Sequence, residues 1–213
     1  IVVGADGVNS VVRGWNEAAF GTRQSRLSNH FAWFGTARVF SNTALVFRNH
    51  AGGAFVAHYY PYCATGSTFV AECDHASWEK LGMEQMDNAQ RQALFEQIYA
   101  RELDGYGLIS NNSNWRQFPV VESPNWIAGN HVLIGDAQTS AHFSIGSGIW
   151  IAMEDLIALV QALIEDAAAG ADEVARRLRR FVELRGPEKA KLLGASRNSY
   201  LWYEDIGQWM RQF

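Results

Sequence analysis

The chain has 213 residues, enough for one good core or about one and a half domains. Its formal charge of -4 argues against nucleic acid as the main partner, and 48% hydrophobic against 19% charged residues is the balance of a soluble globular protein. The two cysteines, Cys63 and Cys73, make no CxxC motif, the six histidines have no zinc or iron spacing, and no apolar run has membrane-spanning length. Neither a metal centre nor a membrane partner is expected. A reducing cytoplasm is the expected setting, with a Cys63–Cys73 bridge left open. Eight Trp, twelve Phe and seven Tyr suit either a flat ligand or a large aromatic core.

The opening IVVGADGVNSVVRGW reads as a buried strand, Ile1 to Val3, that stops in a Gly-Ala-Asp-Gly turn. Ser10 and Arg13 follow on the first turns of a short helix. Strand, tight acidic turn and helix make a corner suited to the phosphate or sugar end of a ligand, with Asp6 and Gly7 at its tip. From about 29 to 122 the pattern is mostly strand, carried by the β-branched and aromatic residues of HFAWFGTARVF, GAFVAHYYPY, STFVAEC and NWRQFPVVE. Gly52-Gly53 and ATGS (64–67) punctuate these as turns, and one helix, capped by Asp87, intervenes at roughly 87–102. No repeat, low-complexity tract or linker is present.

The most informative stretch is HVLIGDAQTSAHFSIGSGIWIAMEDLIALVQALI. A buried strand, His131 to Ile134, ends at Gly135-Asp136, and an uncharged loop leads to Gly146-Ser147-Gly148, where a helix begins. Its apolar positions 149, 152, 153, 156, 157, 160, 163 and 164 recur at helical spacing, so this face is expected to be core. The glycines leave the first N–H groups uncovered, as a helix end open to an anionic ligand requires. Asp136, at the carboxyl end of a strand, can accept hydrogen bonds from sugar or ribityl hydroxyls; a turn aspartate capping its own backbone is the competing reading. ARRLRRF (175–181) is a helical basic run that either touches a phosphate or, more often, forms a solvated face. The aromatic SRNSYLWYEDIGQWMRQF either packs across the sheet or makes a homodimer contact. No G-x-S-x-G nucleophile elbow occurs.

These stretches carry a resemblance. GADGVNSVVR resembles the Asp-Gly motif of the single-component FAD aromatic hydroxylases, the para-hydroxybenzoate hydroxylase type. About 130 residues on, VLIGDA with GSGIWIAMEDLIAL resembles the same family's Gly-Asp motif and flavin-facing helix. FAWFGT, STFVAE, WRQFPVV, AHFSIGSG and RNSYLWYEDI are similar to segments of the salicylyl- and aminobenzoyl-coenzyme A hydroxylases and of the tryptophan-type hydroxylases of pigment biosynthesis. Nearly the whole chain is covered.

The resemblance implies an α/β (α+β) fold. Residues 1–28 and 123–213 would be part of a Rossmann-like FAD-binding domain with carboxyl-terminal helices, and 29–122 a mostly antiparallel substrate-binding sheet. In that family a βαβ unit with a G-x-G-x-x-G fingerprint precedes the Asp-Gly corner. No such fingerprint occurs here, so the chain reads as the carboxyl-terminal part of a longer flavoprotein, without its main FAD grip. The implied activity is a monooxygenase using FAD, NAD(P)H and O2, which hydroxylates an aromatic substrate through a flavin C4a-hydroperoxide. An aryl-coenzyme A thioester or an indole-type compound is the implied substrate class. A non-catalytic remnant or partner subunit of the same fold is the alternative.

Residue by residue, the resemblance gives Gly135 and Asp136 the ribityl chain, and Gly146 and Gly148 the opening of the helix. The N–H groups of Ile149 and Trp150 would face the N1–C2=O edge of the flavin. Asp6 and Gly7 belong to the corner closing over pyrophosphate and ribose, while Arg13 either adds charge toward a phosphate or makes a surface salt bridge. Trp33, His58, Tyr60 and Phe118 are candidate substrate walls. His142 is either a substrate-side acid, base or donor, or a packed loop histidine. The sequence departs from the family where Thr139 replaces the histidine of Gly-Asp-Ala-Ala-His. It departs again where His142-Phe143 stands in place of prolines, a pair its substrate-class relatives share, and where Trp150 replaces a smaller or basic residue.

Overall fold

The computed structural model describes residues 1–164 and 172–212. Along the chain run β1 (Val2–Gly4), α1 (Val11–Gly14), α2 (Glu17–Phe20), β2 (Arg23–Thr36), β3 (Ala44–His50), β4 (Gly53–Cys63) and β5 (Gly66–Cys73). Then come α3 (His75–Lys80), α4 (Asn88–Ile98), α5 (Ala100–Leu103), β6 (Leu108–Ser110), β7 (Arg116–Glu122), β8 (Ile127–Ala128) and β9 (His131–Leu133). The chain closes with α6 (Gly148–Ile164), α7 (Glu173–Glu204) and α8 (Ile206–Trp209). It divides into two compact units, Ile1–Arg26 with Pro119–Leu201, and Leu27–Phe118 with Trp202–Phe213.

The first unit holds a three-stranded sheet in the order β1-β9-β8, with β1 parallel to β9 and β8 antiparallel to it. A Cβ on Gly4 would lie 2.6 Å from Leu133 Cδ2 and 3.0 Å from Val12 Cβ. Only glycine therefore lets β1, β9 and α1 approach this closely. Val132 and Ile134 pack with Leu159 and Ala162 of α6 and with Leu178 and Phe181 of α7. The buried positions of α6 are Ile151, Asp155, Leu159 and Ala162. This is not the face the spacing predicts as core: Ile149, Met153, Leu156, Ile157, Val160 and Ile164 are exposed, and the buried stripe instead contains an acidic residue, Asp155.

The second unit is a six-stranded sheet in the order β3-β4-β5-β2-β6, with β7 also paired to β2. The β2–β5, β2–β6, β3–β4 and β4–β5 pairs are all antiparallel. One face carries Ala32, Phe34, Phe55, Ala57, Phe69 and Ala71, which pack with Met83, Phe95, Tyr99 and Leu103. Against the other face, Tyr203 and Ile206 cover Ala54 and Val56. Of the two roles open to the aromatic carboxyl-terminal segment, the structure shows packing on the sheet. For the same reason residues 202–213 fall with the sheet and not with the first unit.

Several boundaries differ from the sequence reading. β2 stops at Thr36, whose hydroxyl donates to Gly107 O and accepts from Arg38 N, closing the chain into a turn. The 87–102 helix starts at Asp87 with a complete capping box but is broken at Tyr99. β3 carries Arg48, Asn49 and His50 and has no strand signature; its register on β4 makes it a strand. Both cysteines are free, Cys63 exposed and Cys73 buried, so there is no bridge. No helix among the described residues is long and apolar enough to cross a membrane, and no cluster of potential metal ligands occurs among them.

Candidate functional site

In the first unit two loops meet at the carboxyl ends of β1 and β9, the place where parallel strands present ligand-binding turns. Asp6 turns its carboxylate inward to the start of α1, accepting N–H bonds from Val11 at 2.7 Å and Val12 at 3.4 Å. Its pKa lies below the usual carboxylate value: burial raises it, but the hydrogen bonds from Ser10, Val11 and Val12 outweigh that. Gly7, at φ +79, makes the turn, and a Cβ there would meet nothing within 4 Å. Arg13 is not at the surface, as a surface salt bridge requires. It is 3% exposed, and its guanidinium donates to Ala137 O at 2.8 Å and to Val8 O. It neither reaches solvent nor pairs with an acid; it ties the Asp6 turn to the Gly135–Ala137 turn.

Gly135 has φ +57 and lies against Ala152, and its N–H donates to Asp155 Oδ2 at 2.9 Å. Asp136 is half-buried. Burial pushes its pKa up, while an N–H from Ala141 and the charge of Lys189 pull it back. Asp155, with 0% exposure, accepts from Arg185 Nε at 2.8 Å and from Lys189, which is also fully buried. Arg185 pairs with Glu154 at 2.8 Å, and Lys189 Nζ lies 4.8 Å from the Trp126 ring centre. None of these charged residues stands out in the sequence as functional. The available signal is an aspartate in register with Ile151, Leu159 and Ala162.

α6 begins beyond this corner. Gly146 (φ +62) and Gly148 have no atom within 4 Å of a built Cβ, and Ser147 Oγ is buried without a hydrogen-bond partner among the described residues. Ile149 is 84% exposed and Trp150 66%, with Trp150 Nε1 donating back to Glu154 at 2.8 Å. The first N–H groups of the helix have no acceptor within it.

His142 is 3% exposed. Its Nδ1 accepts from Ser144 N at 3.2 Å, its own N–H donates to Ser196 Oγ, and its ring packs 4.2 Å from Phe143. Burial depresses its pKa to about 4. At neutral pH it is an uncharged, capping loop residue.

In the second unit the pairing register settles which side chains share a face. Trp33, Val70, His58 and Leu45 lie opposite one another across β2, β5, β4 and β3. Tyr60, two residues from His58, lies on that face, their rings 5.5 Å apart. Phe118 packs on Phe31, 6.5 Å away, in the next row. Three of the candidate walls thus form one aromatic shelf, with Phe118 beside it. Trp33 is 38% exposed, and the half-buried His58 has its pKa lowered by desolvation.

Further along the face, Glu72 is 3% exposed and accepts from Asn29 Nδ2. Its pKa is pushed up to about 7, chiefly by burial, with Asn29 opposing and Glu204 adding. A carboxyl whose folded pKa is raised stabilises the fold fully below the unfolded value of 4.5, and that contribution is lost as pH rises toward 7. Glu72→Gln is expected to remove this decline. Melting curves at pH 4.5 and 8 check it, and equal slopes for both proteins would remove Glu72 as the cause.

The fold is that of FAD-dependent monooxygenases. HpxO of Klebsiella pneumoniae, solved in complex with FAD, matches with a TM-score of 0.63 at 19% identity, covering 98% of this chain and 57% of that one. In sequence the chain is 34% identical over 221 residues to salicyloyl-CoA 5-hydroxylase of Streptomyces sp., covering 100% of this chain and 42% of that protein. It is 33% identical over 211 residues to protodeoxyviolaceinate monooxygenase of Chromobacterium violaceum, covering 99% and 55%. No protein-family model matches. The chain is a homologue of these monooxygenases and spans about half the length of the curated relatives it matches.

Proposed function

We propose that the chain is the part of an FAD- and NAD(P)H-dependent monooxygenase that grips the flavin ring and ribityl chain and holds an aromatic substrate. The observation that carries this is the Gly135–Asp136 turn at the end of β9, beside the open start of α6. The groups present suit a flavin: an acceptor carboxylate, unpaired helix N–H donors, a buried partnerless Ser147 hydroxyl, and glycines with clear space before them.

Asp136 would accept hydrogen bonds from the ribityl hydroxyls. The N–H groups of Ile149 and Trp150, at a helix end that favours negative charge, would hold the flavin ring. Asp6 and Gly7 shape the neighbouring turn through backbone geometry, since the Asp6 carboxylate is spent on α1. When bound and reduced by NAD(P)H, FAD supplies the oxygen-activating chemistry. Trp33, His58, Tyr60 and Phe118 hold the substrate ring, and neutral His58 offers it one donor and one acceptor. The names of the relatives, salicyloyl-CoA 5-hydroxylase and protodeoxyviolaceinate monooxygenase, support an aromatic thioester or an indole-type compound as substrate. Two free thiols agree with a cytoplasmic setting.

Asp136→Ala in the whole protein tests this. Loss of a charge-assisted hydrogen bond costs about 1.5–3 kcal/mol, roughly a tenfold to hundredfold weaker grip on FAD. Flavin content after gel filtration, beside a circular dichroism spectrum, reads the result. Unchanged flavin in a folded variant returns Asp136 to the role of a turn residue.

A further inference from the structure

We propose that Glu154 is a positioning residue for the start of α6: it holds the Trp150 indole along the helix and keeps it off the first turn, the place read above as the seat of the flavin ring. The proposal rests on that reading. Side chains on a helix tilt toward its N-terminus, so a residue in the third position lies by default over the first turn. Trp150 holds that position in α6, which begins at Gly148. An indole there would cover the ground that the glycines leave free. The structure shows the ring elsewhere. Its Nε1 donates to Glu154 Oε1 at 2.8 Å, one turn further on, and no atom lies within 4 Å of a Cβ built on Gly146 or Gly148.

A bond between exposed residues four apart on a helix is weak by itself, because both side chains give up freedom to make it. Here the acceptor is already fixed. Glu154 Oε2 pairs with Arg185 at 2.8 Å, which leaves Oε1 for the indole. Arg185 is 5% exposed and is held in turn by Asp155 Oδ1 at 2.8 Å, while Asp155 Oδ2 takes the Gly135 N–H at 2.9 Å. A continuous line of polar contacts therefore runs from the Gly135 turn to the indole, through one buried guanidinium. Trp150 is also where the sequence departs from the smaller or basic residue of the family it resembles. A ring of that size at this place needs a holder.

The test is the FAD affinity of the whole protein, read by flavin fluorescence, beside fluorine NMR of fluorotryptophan-labelled protein, where the Trp150 signal is the one missing from Trp150→Ala. Glu154→Ala is expected to shift and sharpen that signal. FAD binding is expected to weaken about three- to tenfold, as when a freed ring leaves the site clear about a tenth to a third of the time. Removing a carboxylate near a helix start would by itself favour an anionic cofactor, so the expected loss has the opposite sign to a charge effect. In a Trp150→Ala background the same substitution is expected to change affinity by less than about twofold, which a purely structural role of Glu154 would not produce. Glu154→Leu fills similar space without an acceptor and replaces Glu154→Ala should that variant not fold. Wild-type affinity in the Glu154 variant, an unmoved Trp150 signal, or an equal loss in the Trp150→Ala background overturns the proposal. Asp136→Ala separates the two readings. Flavin retained there, beside a ring-dependent loss in Glu154→Ala, sinks the Asp136 reading alone; flavin lost there, beside an unchanged Glu154→Ala, sinks this one alone.

Discussion

Replacing Asp155 with alanine is expected to destabilise the protein by about 3–5 kcal/mol, because it strands the buried Lys189 and leaves the buried Arg185 with Glu154 as its one carboxylate. Arg185 is 5% exposed and Lys189 0%, and each loses its Asp155 partner in the substitution. The Gly135 N–H loses its acceptor as well. Glu183→Ala is the control: it removes an exposed partner 3.7 Å from Arg180 and is expected to change stability by less than about 0.5 kcal/mol. Urea denaturation of both variants gives the comparison. An Asp155→Ala loss no larger than that of Glu183→Ala would mean that water or rearrangement satisfies the cations.

Acid is expected to weaken the first unit through His142. Its folded pKa of about 4 lies below the unfolded value of 6.5, so the fold binds the neutral ring preferentially. The contribution is complete above 6.5 and is lost as pH falls toward 4, at most about 3 kcal/mol in all. Glu72 works in the opposite direction over an overlapping range, so the wild-type curve alone does not separate them. His142→Asn does: its Oδ1 can take the Ser144 N–H in place of Nδ1 while nothing titrates. The variant is expected to gain melting temperature relative to the wild type as pH falls from 7 to 4.5, because only the Glu72 contribution is left. Parallel curves would place the acid lability elsewhere.

What was legible in the sequence was local. Asp87 caps α4 as its residue type predicts, because the interaction spans three residues, and Ser10, read as part of the first turn, caps α1 in the same way. The strand at His131, the Gly135-Asp136 turn and the helix start at Gly148 were readable from hydrophobic period and glycine placement. Arg179 and Arg180 are exposed, as a basic helical run suggests.

The sequence alone therefore determined the turns, the Asp87 cap, most strands, and the two corners that resemble the motifs of FAD hydroxylases. Tertiary structure alone decided what the charged residues do. Arg13 became a buried tie between the corners, Asp155, Arg185 and Lys189 a closed network, and Trp33, His58 and Tyr60 neighbours on one face. The reason is physical. Periodicity reports which side of an element is apolar, but the energy of a charge depends on partners tens of residues away and on the water that packing excludes. Sheet register, likewise, is set between strands and not within one.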